Sequence, residues 1–354
     1  MPTSLASLVR LALSGGPGSV RAAARLMSVV ADQPQRLPEV YQATAGLDGG
    51  EAASVGLLPR LLVGITGAPG AGKSTLTDAL IREYRSRLPD RRIGVVAVDP
   101  SSPFTGGAVL GDRVRMMRHA IDPMVFVRSM ASRGHLGGLA LGVKGVVRIM
   151  ALLGCDVVII ETVGVGQSEV EVAGVADVVM IVLAPGQGDS IQLLKAGLME
   201  IGDVFVVNKA DRPDAHRLHT ELLATLRIVQ DTASPRLTRR PGLGTDPPTF
   251  LVSAEVGRGV EELVDGLERL AAEHSPAWQQ HRLDTVAQDV RDAVLEEATR
   301  RIQGTLGRLD DEGHAVASIL AGDLTVGQLT DRLLAETVRR RQVETDAARE
   351  PPRD

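Results

Sequence analysis

At 354 residues the chain is longer than one ordinary domain, and a 44% hydrophobic share with only 2% aromatics implies a core of Val, Leu, Ile and Ala. A formal net charge of −5 argues against a nucleic-acid-binding protein, because backbone binding needs a basic patch that releases counterions. The single Cys155 excludes an intrachain disulfide, the start Met1-Pro2-Thr3-Ser4 lacks a signal peptide's features, and no apolar run reaches the roughly 18 residues of a membrane helix; a soluble, cytoplasmic protein is expected.

From residue 4 to 40, the apolar positions Leu5, Leu8, Val9, Leu11 and Leu13, then Val20, Ala24, Leu26 and Val30, recur at helical spacing around the break Gly15-Gly16-Pro17-Gly18. Short helices are expected there, followed by a Gly- and Ala-rich linker over 42–54, so that residues 1–54 form an N-terminal helical extension. Over residues 55–276 short apolar runs alternate with longer amphipathic segments, the pattern of an α/β core with a mostly parallel sheet and helices on both faces. Strands are expected at 61–66, 93–98, 125–127, 157–160, 178–183, 204–207 and 250–252. Several of these runs are almost wholly apolar, as strands covered on both faces require. A loop rich in breakers spans 236–248. After Trp278 the stripe Val286, Val290, Val294, Ala298 and the run 324–339 predict a C-terminal helical region over 277–342, ahead of a charged tail at 343–354.

The first strand runs into Gly67-Ala68-Pro69-Gly70-Ala71-Gly72-Lys73-Ser74-Thr75, which satisfies GxxxxGK[ST] and leads into a helical run. Such a loop turns successive backbone N–H groups onto phosphates at a helix N-terminus, with Lys73 reaching the β- and γ-phosphates and the Ser74 hydroxyl offered to Mg²⁺. Strand before and helix after make this a P-loop NTPase fold.

Asn208-Lys209-Ala210-Asp211 follows the strand at 204–207. Asp211 can accept both the ring N–H and the exocyclic amino group of guanine, a donor pair that adenine lacks. Asn208 would support the loop or the base, and the Lys209 stem would pack on the base plane. Ser253-Ala254-Glu255, after the last strand, would complete a second base-binding loop whose backbone N–H groups face the guanine oxygen. GTP or GDP with Mg²⁺ is therefore the expected ligand.

Between these motifs lie candidates for sensing the γ-phosphate. Asp99 sits at the carboxyl edge of the sheet, where open α/β folds bind ligands, and is assigned to the Mg²⁺ shell. Asp112, in a glycine-rich loop, is a second metal-shell candidate; its competing reading is a solvated charge paired with Arg113. Glu161, at the end of the strand at 157–160, would contact Mg²⁺ through water, and the N–H of Gly164 would meet the phosphate. Gln167 is the candidate for orienting the attacking water, against the alternative of a loop residue satisfied by backbone. No arginine occurs from Glu161 to Glu169, so slow intrinsic hydrolysis is expected, with a partner or second subunit supplying or positioning a cation and Lys195 one candidate for it. Cys155 reads as a small buried hydrophobe, His119 and His135 as solvated or core-satisfied histidines, and Arg339-Arg340-Arg341 as a solvated helix end.

Together with Val98-Asp99-Pro100-Ser101-Ser102, Pro103-Phe104-Thr105-Gly106-Gly107, Gly111-Asp112-Arg113, the segment Glu161 to Glu169 and Leu320-Ala321-Gly322-Asp323-Leu324-Thr325, these motifs closely resemble the methylmalonyl-CoA mutase-associated GTPases of the MeaB/ArgK type. The resemblance implies a homodimeric GTPase whose terminal helices help hold the subunits together, with 277–342 as the dimerisation region. It also implies a chaperone that loads adenosylcobalamin into an acyl-CoA mutase and protects it there. Family roles then fall on Lys73 and Ser74 for phosphate and Mg²⁺, on Asp99, Asp112 and Glu161 for the metal shell, and on Asn208, Asp211 and Ser253 for the base. An ATP-using kinase linked to basic amino-acid transport is the alternative, and Asp211 speaks against it. A nickel-delivery GTPase would call for a His-rich tract or paired Cys, which the sequence lacks.

Overall fold

The computed structural model describes residues 4–16, 18–33, 36–45, 58–100, 119, 121–132, 138–162, 174–186, 201–232, 247–273, 278–280, 301–305 and 314–347, with scattered positions between 282 and 299. The chain divides into two compact units, Met1–Thr285 and Val286–Asp354.

In the first unit the described residues form a seven-stranded, all-parallel sheet in the order β3-β2-β4-β1-β5-β6-β7. The strands are β1 (Leu61–Gly67), β2 (Arg92–Pro100), β3 (Val125–Ser132), β4 (Cys155–Glu161), β5 (Val178–Leu183), β6 (Val204–Val207) and β7 (Thr249–Leu251). All seven expected strands are present, and β3 runs five residues past its expected end, because Val96–Pro100 of β2 continues to pair with Arg128–Ser132. Parallel strands need crossovers, and the helices that supply them cover both faces, which is why β1, β5 and β6 are buried throughout.

Side chains alternate between two cores. Leu61, Val63 and Ile65 of β1 pack with Val157, Ile159, Met180 and Val182 against α4 (Lys73–Arg87) and α7 (Val260–Glu273). Leu62, Val96, Val158, Val179 and Ile181 face the other way, towards α5 (Gly138–Leu152) and α6 (Ala215–Thr232). The N-terminal helices α1 (Leu5–Leu13), α2 (Ser19–Asp32) and α3 (Leu37–Ala45) belong to this second core. Helix α2 lies so close on α5 that a Cβ at Gly145 would come within 3.1 Å of Val30 Cβ. Residues 42–45, read from the sequence as linker, are the last turn of α3. Val40 of the same helix is fully buried, and that tertiary anchoring overrides the weak local signal.

The second unit contains α8 (His314–Ala321) and α9 (Val326–Ala347). A reciprocal cap starts α9: the Thr325 N–H donates to Gln328 Oε1 at 2.9 Å, and the Gln328 N–H donates to Thr325 Oγ1 at 3.2 Å. The helix continues through Arg339-Arg340-Arg341 into the segment expected as tail, since after Gly327 in its first turn no Gly or Pro occurs before Pro351.

The strand order places β1 between β4 and β5, so the chain leaves β1 towards one side of the sheet and returns from β4 to the other. Such a switch point opens a crevice at the carboxyl ends of the strands, and the loop after β1 lies there.

Candidate functional site at the carboxyl edge of the sheet

The turn after β1 is made possible by Gly67, with φ of 140°, where a Cβ would lie 2.1 Å from the Val182 carbonyl oxygen of the neighbouring strand. The loop then closes on the N-terminus of α4, and Gly72 packs so tightly that a Cβ there would meet Asn208 Nδ2 at 2.4 Å. Lys73 is buried, and its ammonium donates to the carbonyls of Gly67 at 2.7 Å and Ala68 at 3.1 Å. It is thereby folded over the loop whose N–H groups and helix end make an anion cradle. A phosphate oxygen would offer that ammonium a charged acceptor, which binds it more strongly than a carbonyl does.

Beside the cradle, Ser74 Oγ donates to Glu161 Oε1 at 2.5 Å, and Thr77 Oγ1, one turn further along α4, donates to Glu161 Oε2 at 2.9 Å. Glu161 is 4% exposed, and strand register explains its position: it pairs with Ile65 of β1 and with Ala97 of β2. Asp99, two residues beyond Ala97 on β2, therefore reaches the same sheet edge, its backbone paired with Ala131. Hydroxyl and carboxylate oxygens next to a phosphate cradle suit Mg²⁺, which takes oxygen ligands and is commonly held by one or two protein groups plus phosphate.

The end expected to read the base is built from two loops locked together. The Asn208 N–H donates to the Leu183 carbonyl at 2.8 Å and the Ala210 N–H to the Val252 carbonyl at 3.0 Å, so both neighbours of Lys209 are fixed. Lys209 is held between them with φ of 59°, a left-handed conformation that a non-glycine residue keeps only when its surroundings impose it. Its ammonium donates to the Gly70 carbonyl at 2.7 Å, which lays the stem across the space above the P-loop. Asn208 is buried and acts as a bridge: its amide donates to the Ala71 carbonyl at 2.9 Å, and its oxygen accepts the Ala254 N–H at 3.1 Å. Asn208 thus supports the loops. Ala254 lies in the loop whose backbone N–H groups are expected to face the guanine oxygen, and its own N–H donates to that side chain.

Asp211 is exposed, and the buried Ser253 hydroxyl donates to its Oδ1. That hydrogen bond holds the Asp211 carboxyl below its ordinary range, helped by its own backbone N–H and by the nearby positive charges of Arg212 and Arg258. An ionised, exposed carboxylate is what a guanine edge with two adjacent N–H donors requires.

A family profile described as "Methylmalonyl Co-A mutase-associated GTPase MeaB" matches residues 56–306. The chain belongs to that family. The first unit of this MeaB-family GTPase carries nearly the whole match. A provisionally named GTPase of Pyrococcus abyssi is 38% identical over 323 residues, 91% of this chain and 94% of that one. The "Methylmalonic aciduria type A homolog, mitochondrial" of Caenorhabditis briggsae is 32% identical over 285 residues, 78% of this chain and 68% of that protein. A crystal structure described as a LAO/AO transport system kinase covers 96% of this chain and 99% of its own, with a TM-score of 0.58 at 24% identity, and shows the same fold.

In this MeaB-family GTPase the structure brings together the cradle, Ser74 and Glu161 at one end and Asn208, Lys209, Asp211 and Ser253 at the other, with Asn208 and Lys209 bonded directly to the P-loop. The side chain of Glu255 is exposed. Asp112, Gly164, Gln167 and Lys195 lie outside the described residues, as do His135 and 236–246. Cys155 is buried, and burial pushes its thiol up to about 12, so it packs as an inert apolar group. His119 is core-satisfied: its Nε2 lies 2.7 Å from Oδ1 of the buried Asp78 on α4. Thr77 is the site residue that motif reading passed over. The available signal was a hydroxyl three residues after Ser74, on the same side of the helix.

Proposed function

We propose that this GTPase is Mg²⁺-dependent and serves as a chaperone for an adenosylcobalamin-dependent acyl-CoA mutase of the methylmalonyl-CoA mutase type, coupling GTP binding and hydrolysis to loading and protection of the cofactor. The observation that carries the reading is the family match over residues 56–306, and it is supported by the Lys73 loop, the Ser74–Glu161 bond beside it and the Ser253–Asp211 bond.

In this proposal Lys73 and the N–H groups from Gly67 to Thr75 hold the phosphates, with Gly164 meeting the γ-phosphate. Ser74, Asp99, Asp112 and Glu161 would hold Mg²⁺, and Asn208, Lys209, Asp211, Ser253, Ala254 and Glu255 would form the base pocket. When bound, Mg²⁺ would neutralise charge on the β- and γ-phosphate oxygens. Gln167 orients the attacking water, and Lys195 or a partner's cation stabilises the transferred phosphoryl group. The working form is a cytoplasmic homodimer joined through the terminal helices; no nucleic acid is a partner, in keeping with the net charge of −5. Among the described residues no helix is long and apolar enough to cross a membrane.

The test is a pull-down from native lysate, with and without a non-hydrolysable GTP analogue. Capture of an acyl-CoA mutase that responds to the analogue is expected; recovery of transport proteins alone would overturn the mutase reading. The kinase reading is separated by competition: ATP displacing bound GTP as well as GTP itself does would favour it.

A further inference from the structure

The first turns of α4 carry two hydroxyls on one side of the helix, Ser74 and Thr77, and both reach the same carboxylate. Ser74 takes Glu161 Oε1 and Thr77 takes Oε2, so neither oxygen of a nearly buried acid lacks a donor. The Thr77 hydroxyl also lies 3.1 Å from the Lys73 carbonyl, the ordinary back-bond of a helical threonine. A hydroxyl has one proton, and the carboxylate is both the nearer acceptor at 2.9 Å and the charged one, so the proton belongs to Glu161. Thr77 is itself fully buried and no solvent competes for it. The P-loop pattern is complete before this position and does not require a hydroxyl here.

We infer that Thr77 is a positioning residue for the metal edge, clamping Oε2 of Glu161 so that Oε1 stays turned to Ser74. The inference rests on reading Ser74 and Glu161 as the Mg²⁺ end of the site. The terminal torsion of a glutamate is broad, and bonds to both of its oxygens restrict the carboxylate plane more than a bond to one of them. Mg²⁺ demands near-octahedral geometry and keeps several waters, so a carboxylate that would hold such a water, and the Ser74 hydroxyl beside it, must be fixed in direction. Groups that orient metal-binding side chains in this way typically change metal affinity by about 10–100-fold when removed.

Thr77→Val keeps the volume and removes the donor. Mn²⁺ binding to the GDP complex, followed by electron paramagnetic resonance, is expected to weaken about 10-fold or more, and the Mg²⁺ concentration that half-slows release of fluorescent GDP should rise by the same factor. Thr77→Ser should restore both to within about threefold, and the loss should be confined to the metal-dependent part, sparing GDP affinity in EDTA. Mn²⁺ binding in Thr77→Val equal to the wild type would overturn the inference, as would an equal loss of GDP affinity in EDTA, which marks a structural role. Should the valine variant not fold, Thr77→Cys, a weak donor, is read against Thr77→Ser, and equal Mn²⁺ affinities overturn it. A wild-type GDP complex that ignores Mg²⁺ and Mn²⁺ would remove the metal reading first, and this inference with it.

Discussion

The proposed phosphate end and the proposed base end of the site differ in how their groups are held. At the phosphate end the functional groups sit on regular elements and are buried: Lys73 is 6% exposed, Glu161 4% and Thr77 0%, and each is bonded to its neighbours. At the proposed base end Asp211, the residue assigned to reading the base, stands exposed on a loop, while Asn208 and Ser253 beside it are buried. A buried, internally bonded cradle costs little reorganisation when an anion arrives, so it can supply affinity for any triphosphate. An exposed carboxylate supplies little affinity by itself, but its donor-acceptor pattern decides which purine fits.

If that division holds, the largest effect belongs to selectivity. Asp211→Asn should exchange preference from GTP to xanthosine triphosphate, the ratio of affinities moving by up to about 10⁴, because the new amide presents a donor to the changed base edge while Oδ1 keeps the Ser253 bond. Competition binding measures it, and unchanged GTP selectivity would refute the base assignment. Lys73→Ala should leave selectivity alone and abolish tight binding, weakening GDP and xanthosine diphosphate alike by about 100-fold, the worth of charge-assisted hydrogen bonds to phosphate. A loss for one base only would erase the distinction between the two ends.

Asn208→Ala sharpens the comparison, since this residue ties the ends together. Losing its bonds to Ala71 and Ala254 should destabilise the fold by about 1–3 kcal/mol, visible as a drop in Tm without nucleotide. Were Asn208 mainly a base contact, affinity would fall and the nucleotide-free Tm would not. The smallest effect is expected from Ser253→Ala. With the Ser253 hydroxyl present, the Asp211 carboxyl is held below its ordinary value of about 3.9, so the ionised form persists as pH falls; without it the carboxyl protonates at higher pH. GDP affinity near pH 7 should change little, and its loss on acidification should begin at a higher pH than in the wild type.

How much of this was legible in the sequence follows from the range of each signal. The strand at 178–183 was readable because a run buried on both faces is apolar throughout, and the P-loop because a phosphate cradle fixes Gly, Lys and Ser at set spacing. The last turn of α3 was not readable, since its reason lies in the packing of Val40 into the core.

The sequence by itself determined the sheet, the nucleotide class and the residues that could meet it, because periodicity and motif spacing are local and carry their chemistry with them. Only the tertiary structure decided that Asn208 bridges loops and that Thr77 shares Glu161 with Ser74. Those roles depend on strand register and helix rotation bringing together groups 137 and 84 positions apart, and no local pattern encodes such a meeting.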